Sequence, residues 1–116
     1  MNGTNHLSWE VAPDGSVDVW VWRPNPVARK VVPMGNPLLV LSARISRSGR
    51  VTIRDHSRRN YRAEARHYEA LAGVVVAVAG RAEWLAALAR LVKEVKDFWW
   101  RQEMAVYVLR RAELRP

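Results

Sequence analysis

Residues 7 to 22 read LSWEVAPDGSVDVWVW, two alternating runs joined by Pro13, Asp14 and Gly15. Pro13 suits the first central position of a type I turn, and Gly15 supplies the left-handed backbone that completes a three-residue hairpin loop. A loop of that length pairs Ala12 with Ser16, and hence Val11 with Val17, Trp9 with Val19 and Leu7 with Val21. All three of those outer pairs are apolar and share one face, because successive side chains along a strand point to opposite sides. Turn chemistry and hydrophobic pattern therefore select one register, since a slip of a single residue would turn every valine outward. The second face carries Ser8, Glu10, Asp18, Trp20 and Trp22.

The device recurs in PLLVLSARISRSGRVTIRDH, residues 37 to 56, where Gly49 closes the loop Arg47, Ser48, Gly49. Ile45 then opposes Val51 and Ala43 opposes Ile53, while Ser42, Arg44, Ser46, Arg50, Thr52, Arg54 and His56 lie on the other side. Joined, the hairpins predict a four-stranded antiparallel sheet with an apolar face for the core and an open face of Trp20, Trp22, Arg44, Arg50 and Arg54. Between them PNPVARKVVPMGNP places four prolines in residues 24 to 37. Such a stretch is neither helix nor central strand but a long connection, from which Arg29 and Lys30 reach over a neighbouring surface.

After His56 the apolar period lengthens to between three and four. Asp55 or Ser57 is a candidate cap for a helix starting RRNYRAEARHYEALA, with Tyr61, Ala65, Tyr68 and Ala72 on one stripe and Arg58, Arg62, Arg66 and Glu69 off it. The valine-rich piece interrupted by Gly73 and Gly80 reads as continuing helix. From Arg81, Leu85, Leu88, Val92, Val95, Trp99, Val106 and Leu109 recur at helical spacing. The expectation is one α+β domain over residues 1–116, with a sheet in 6–56, a proline-rich connection at 24–37 and a helical part in 57–116. Two or three helices pack against the sheet.

Composition limits the chemistry. The 116 residues carry 19 basic against 11 acidic side chains, a formal net charge of +8, and 16 of the 19 are arginine. Guanidinium groups bind phosphate bidentately and stack on bases, so an arginine excess favours a nucleic-acid partner. A G+C-rich or hyperthermophilic source also raises arginine, but it does not explain six tryptophans. Cysteine is absent, and His6, His56 and His67 alone are a poor metal set. The longest apolar run falls short of the roughly 20 residues that span a bilayer, and the N-terminus lacks a basic-then-apolar signal layout, so a cytoplasmic protein is the default.

A single strand exposes flat bases and a charged backbone, and a binder answers with aromatic plates and interleaved cations. Trp20 and Trp22 supply plates; Arg44, Arg50 and Arg54 supply cations, with Arg29 and Lys30 closing the groove and Arg58 extending the basic surface. Burial of the tryptophans beneath the helices is the competing arrangement, which the arginines oppose. The rival function is a protein-interaction or regulatory module docking through the long C-terminal helix with Phe98, Trp99 and Trp100. A third is a ribonuclease using Arg62 and His67, whose spacing resembles that of the HEPN families. Asp55 with Glu64 is a weak carboxylate pair. No enzyme and no cofactor is expected.

VDVWVWR, SARISRSGRVTIR and the arginine-rich, cysteine-free composition together resemble the ThermoDBP family, the single-stranded DNA-binding proteins of the archaeal, hyperthermophilic Thermoproteales. The resemblance is architectural and spans the whole chain. It implies two hairpins forming a sheet, helices behind it, an aromatic and basic cleft for single-stranded DNA, and a homodimer through a C-terminal helical zipper. DNA against RNA is left open by the residues themselves.

Overall fold

A computed structural model of the chain describes residues 7–23, 37–58 and 62–94. The two alternating runs form β1 (Leu7–Val11) and β2 (Val17–Arg23), and the second pair forms β3 (Leu38–Ile45) and β4 (Val51–Asp55). They make one antiparallel sheet in the order β1-β2-β3-β4. The expected registers hold: Val11 faces Val17, Trp9 faces Val19 and Leu7 faces Val21, while Ile45 faces Val51 and Ala43 faces Ile53. Each loop is closed as its sequence requires. Ala12 N donates to Ser16 O at 2.8 Å and Gly15 N to Ala12 O at 2.9 Å; Ser46 N donates to Arg50 O and Gly49 N to Ser46 O, both at 2.9 Å. Gly15 and Gly49 take φ of 89° and 92°, a region where a Cβ is strained.

One irregularity lies between the hairpins. Val21 pairs with Leu41 but Trp22 pairs with Leu39, which leaves Val40 as an extra residue in β3. Strict alternation would put Val40 on the open face; the bulge instead buries both Val40 and Leu41 completely. Nothing in the even period announces such an insertion.

Two helices, α1 (Ala65–Ala79) and α2 (Arg81–Glu94), cover the apolar face. α1 lies against β2 and β3, α2 against β4 and α1. Val19, Val21, Leu41 and Val51 meet Tyr68, Leu71, Val75, Trp84 and Leu88 in one core. Burial of each large aliphatic contributes about 1.5–3 kcal/mol. The competing arrangement, helices packed over Trp20 and Trp22, is thus not the one adopted by α1 and α2.

The helix start is corrected. Residues 56–58 and 62–64 are not helical, and α1 begins only at Ala65 with Glu64 extended at its N-cap. Polar side chains make the earlier stop: Asp55 Oδ1 accepts from Ser57 N at 2.7 Å, and Ser57 Oγ accepts from Ala63 N at 2.8 Å. Both residues expected as caps are therefore used in the turn before the helix. At the start itself Glu64 N donates to His67 Nδ1 at 2.9 Å, half of a capping box with histidine in the role of Glu or Gln. Ala65 is accordingly exposed, and the buried stripe is His67, Tyr68, Leu71, Ala72 and Val75. In α2 it is Trp84, Ala87, Leu88 and Leu91, with Leu85 and Val92 half-buried beside them. Further ties fasten the layers: Tyr68 Oη donates to Asp55 Oδ2 at 2.5 Å, Arg23 Nη1 to Arg62 O at 3.0 Å and Arg90 Nη2 to Val51 O at 2.7 Å.

α1 and α2 leave part of the apolar side of β1 uncovered. Trp9 and Val11, expected to share the buried face, remain 55% and 65% exposed at the sheet edge. Among the described residues no helix is long and apolar enough to cross a membrane.

Candidate nucleic-acid interface

Alternation carries β2, β3 and β4 across one surface, and their outward residues line a groove of about 430 Å³. Asp18 and Trp20 come from β2, Ser42 and Arg44 from β3, Thr52 and Arg54 from β4, with the Ala43 backbone position between them. Register explains the grouping: Trp20 stands opposite Ser42, which stands opposite Arg54, and Asp18 stands opposite Arg44, which stands opposite Thr52. Trp20 is half-buried; Arg44 and Arg54 are exposed.

The two arginines differ in how they are held. Arg44 Nη2 donates to Ser16 Oγ at 3.2 Å and lies 3.8 Å from Asp14 Oδ2. Asp14 is oriented in turn by Ser16, whose N and Oγ donate to Oδ1 at 2.9 and 2.6 Å. Those hydrogen bonds, with the Arg44 charge added, hold the Asp14 carboxyl below its ordinary range. Arg44 is therefore aimed, but partly neutralised. Arg54 has no ion pair among the described residues.

Trp22 is half-buried at the far end of β2, beyond the groove lining, and its indole N–H donates to Ser8 Oγ at 3.4 Å. Arg50 is exposed at the loop end of β4, and Arg58 is exposed just past β4. Of the expected site, Trp20, Arg44 and Arg54 line one groove, and Trp22, Arg50 and Arg58 lie outside its lining. Arg29 and Lys30, like Phe98, Trp99 and Trp100 of the rival reading, lie outside the described residues.

Four groups on this surface were not singled out by residue type: Asp18, Ser42, Thr52 and His56. Strand parity places all of them there, so the alternation already held the signal. His56 Nε2 and Ser42 Oγ are 2.9 Å apart. Burial holds the His56 imidazole below its ordinary value, and repulsion by Arg54 and Arg58 acts the same way, against the pull of Asp55.

The arginine and histidine of the ribonuclease reading lie on different elements. Arg62 precedes α1, so the two residues do not share a helical face, and His67 is only 3% exposed with Nδ1 engaged by Glu64 N. Asp55, the other carboxylate considered, points to the helix side and accepts from Tyr68. No cluster of three His, Asp or Glu suited to a metal occurs among the described residues. Comparison of the chain with protein-family models, with curated proteins and with solved structures finds no match.

Proposed function

We propose that the open sheet face binds single-stranded nucleic acid with little regard to sequence. One observation supports this above the rest: Trp20, Arg44 and Arg54 line a single groove on the sheet face opposite α1 and α2. A base stacked on an indole gains about 1–3 kcal/mol whatever its identity, and guanidinium groups flanking it hold the phosphates. Asp18 repels phosphate on the Arg44 side, so the backbone runs nearer Arg54, with Arg50 and Arg58 as outer contacts and Trp22 as a second plate. The choice of DNA over RNA rests on the resemblance to the Thermoproteales proteins.

Titration of a fluorescein-labelled oligothymidylate, followed by anisotropy, tests the site. Trp20→Ala is expected to weaken binding about fivefold to a hundredfold. A folded variant that binds as the parent does would remove Trp20 from the interface. Parallel titrations with RNA and duplex DNA of the same length measure preference, and tighter binding to duplex would overturn the single-strand reading.

A further inference from the structure

β1 leaves two things unsatisfied at once. Among the described residues it is an edge strand with only β2 beside it, and its helix-side residues Trp9 and Val11 stay largely exposed. The ladder phase says which backbone groups point outward. Ala12 N donates inward to Ser16 O, so Glu10 and Ser8 also face β2 while Val11, Trp9 and Leu7 turn their N–H and C=O groups away from it. The residues with outward backbone groups are thus those with apolar side chains on the helix side. A bare edge of this composition is a template for another strand.

We infer that β1 pairs antiparallel with β1 of a second copy of this chain, about a two-fold axis at Trp9. The pattern is self-complementary in that register. Trp9 meets Trp9 of the partner and Leu7 meets the partner's Val11, which makes every pair on the helix side apolar. On the other side Ser8 meets the partner's Glu10, which keeps the two glutamates from standing opposite one another. Charge favours the same occupant: Glu10 is the sole charged residue of β1, whereas β2, β3 and β4 each carry arginine. Two highly basic chains can approach along this strand without bringing cations together. Phosphate is excluded from the strip by the same composition.

Pairing of two five-residue strands, with the two indoles stacked across the axis, buries less than a standard interface of about 1,600 Å². The dimer is therefore weak, with dissociation on the order of micromolar or above. Its consequence is an eight-stranded sheet presenting two Trp20–Arg54 grooves on one continuous surface. That consequence rests on the proposed function; the pairing does not.

Sedimentation equilibrium of the whole chain over a concentration series tests the pairing, with no nucleic acid present. The wild type is expected to shift from 13.3 kDa toward twice that mass, and Trp9→Lys to stay monomeric with an unchanged circular dichroism spectrum. Because the chain has no cysteine, single-cysteine variants report the register. Trp9→Cys brings two thiols across the axis at about 5.5 Å between Cα atoms, within disulfide reach. Val11→Cys leaves them several residues apart. Under mild oxidation the first is expected to form a covalent dimer and the second not. A monomeric wild type, a Trp9→Lys variant that associates as the parent does, or equal cross-linking through Val11→Cys each overturns the proposal. An unaffected Trp9→Lys dimer would place association elsewhere, the C-terminal helix included.

Discussion

Replacing Arg54 by Gln removes one cation from the groove while keeping a polar side chain opposite Ser42. Arg54 is exposed and has no ion pair among the described residues, so the fold loses little, within about 0.5 kcal/mol. Binding loses more. For a single strand, log K falls with log salt at a slope near 0.7 per neutralised phosphate, so one contact is worth about fivefold at 0.1 M salt relative to 1 M. Contacts from Arg44, Arg50, Arg54 and Arg58 together predict a slope near −3, and Arg54→Gln is expected to move it to about −2. Arg44→Gln is expected to cost less, because Asp14 at 3.8 Å and Ser16 already share that guanidinium. By the same reasoning Asp14→Asn tightens binding. Anisotropy titrations between about 50 and 500 mM NaCl give all four slopes. A salt-independent affinity, or a slope unchanged in Arg54→Gln, refutes the electrostatic part of the reading.

Stability provides the other checks. His67 titrates below its ordinary value of 6.5, first because it is buried and then because Arg66 repels its charge. The unfolded chain therefore binds the proton more readily, stability is complete above that value, and it is lost as pH falls from 6.5 toward the lower folded value. Protonation also turns Nδ1 from acceptor to donor against Glu64 N–H. Urea midpoints are expected to drop between pH 7.5 and 5.0, and His67→Gln, which retains a capping-box acceptor, to flatten the drop; an unchanged pH profile in that variant would clear His67 of the role. Gly49→Ala, with φ of 92° and nothing within 4 Å of the new Cβ, tests backbone strain alone, and a loss of about 1–2 kcal/mol is expected by chemical denaturation. Tyr68→Phe removes the hydroxyl that donates to Asp55 at 2.5 Å. It is expected to cost about 1.5–3 kcal/mol while leaving oligonucleotide affinity below the unfolding temperature as it was.

The hairpins were legible because each states its register twice, in the turn and in the alternation. Where only one signal exists, pattern and structure part. Ser57 and Asp55 looked like caps because serine and aspartate satisfy any free N–H, yet the helix start was set by Glu64 and by His67 standing where Glu or Gln is usual. Val40 escaped because a bulge leaves the composition of a strand unchanged. The exposure of Trp9 was not readable from its own strand, since apolar alternation says which face a residue shares and not whether a helix reaches it. Asp18 and His56 were placed on the correct face, but without a chemical motif to mark them. Arg44 was placed there too, and its neutralisation by Asp14 depends on a loop conformation that spacing alone does not give.

β4 joins these levels within three residues. Ile53 is buried in the core, Arg54 points into the groove, and Asp55 turns back to hold Tyr68 of α1. The base of the Arg54 side chain is thus fixed on both sides by groups that cannot move without unfolding the sheet, and Trp20 stands two strands away in the same paired row, with Ser42 between them. The guanidinium, in contrast, sits at the end of a long flexible stem in solvent. An aromatic plate beside a cation such as Arg54, anchored at the root and extended into solvent at the tip, suits a ligand whose flat groups are alike but whose phosphates keep no constant spacing. Duplex DNA has the opposite character, with regular phosphates and bases already stacked away. On the proposed reading base stacking on Trp20 would discriminate strand from duplex and arginine count would set affinity, so Trp20→Ala should erode the preference for single strands while Arg54→Gln lowers both affinities together. Equal losses of preference in the two variants would show that the indole does not read exposed bases.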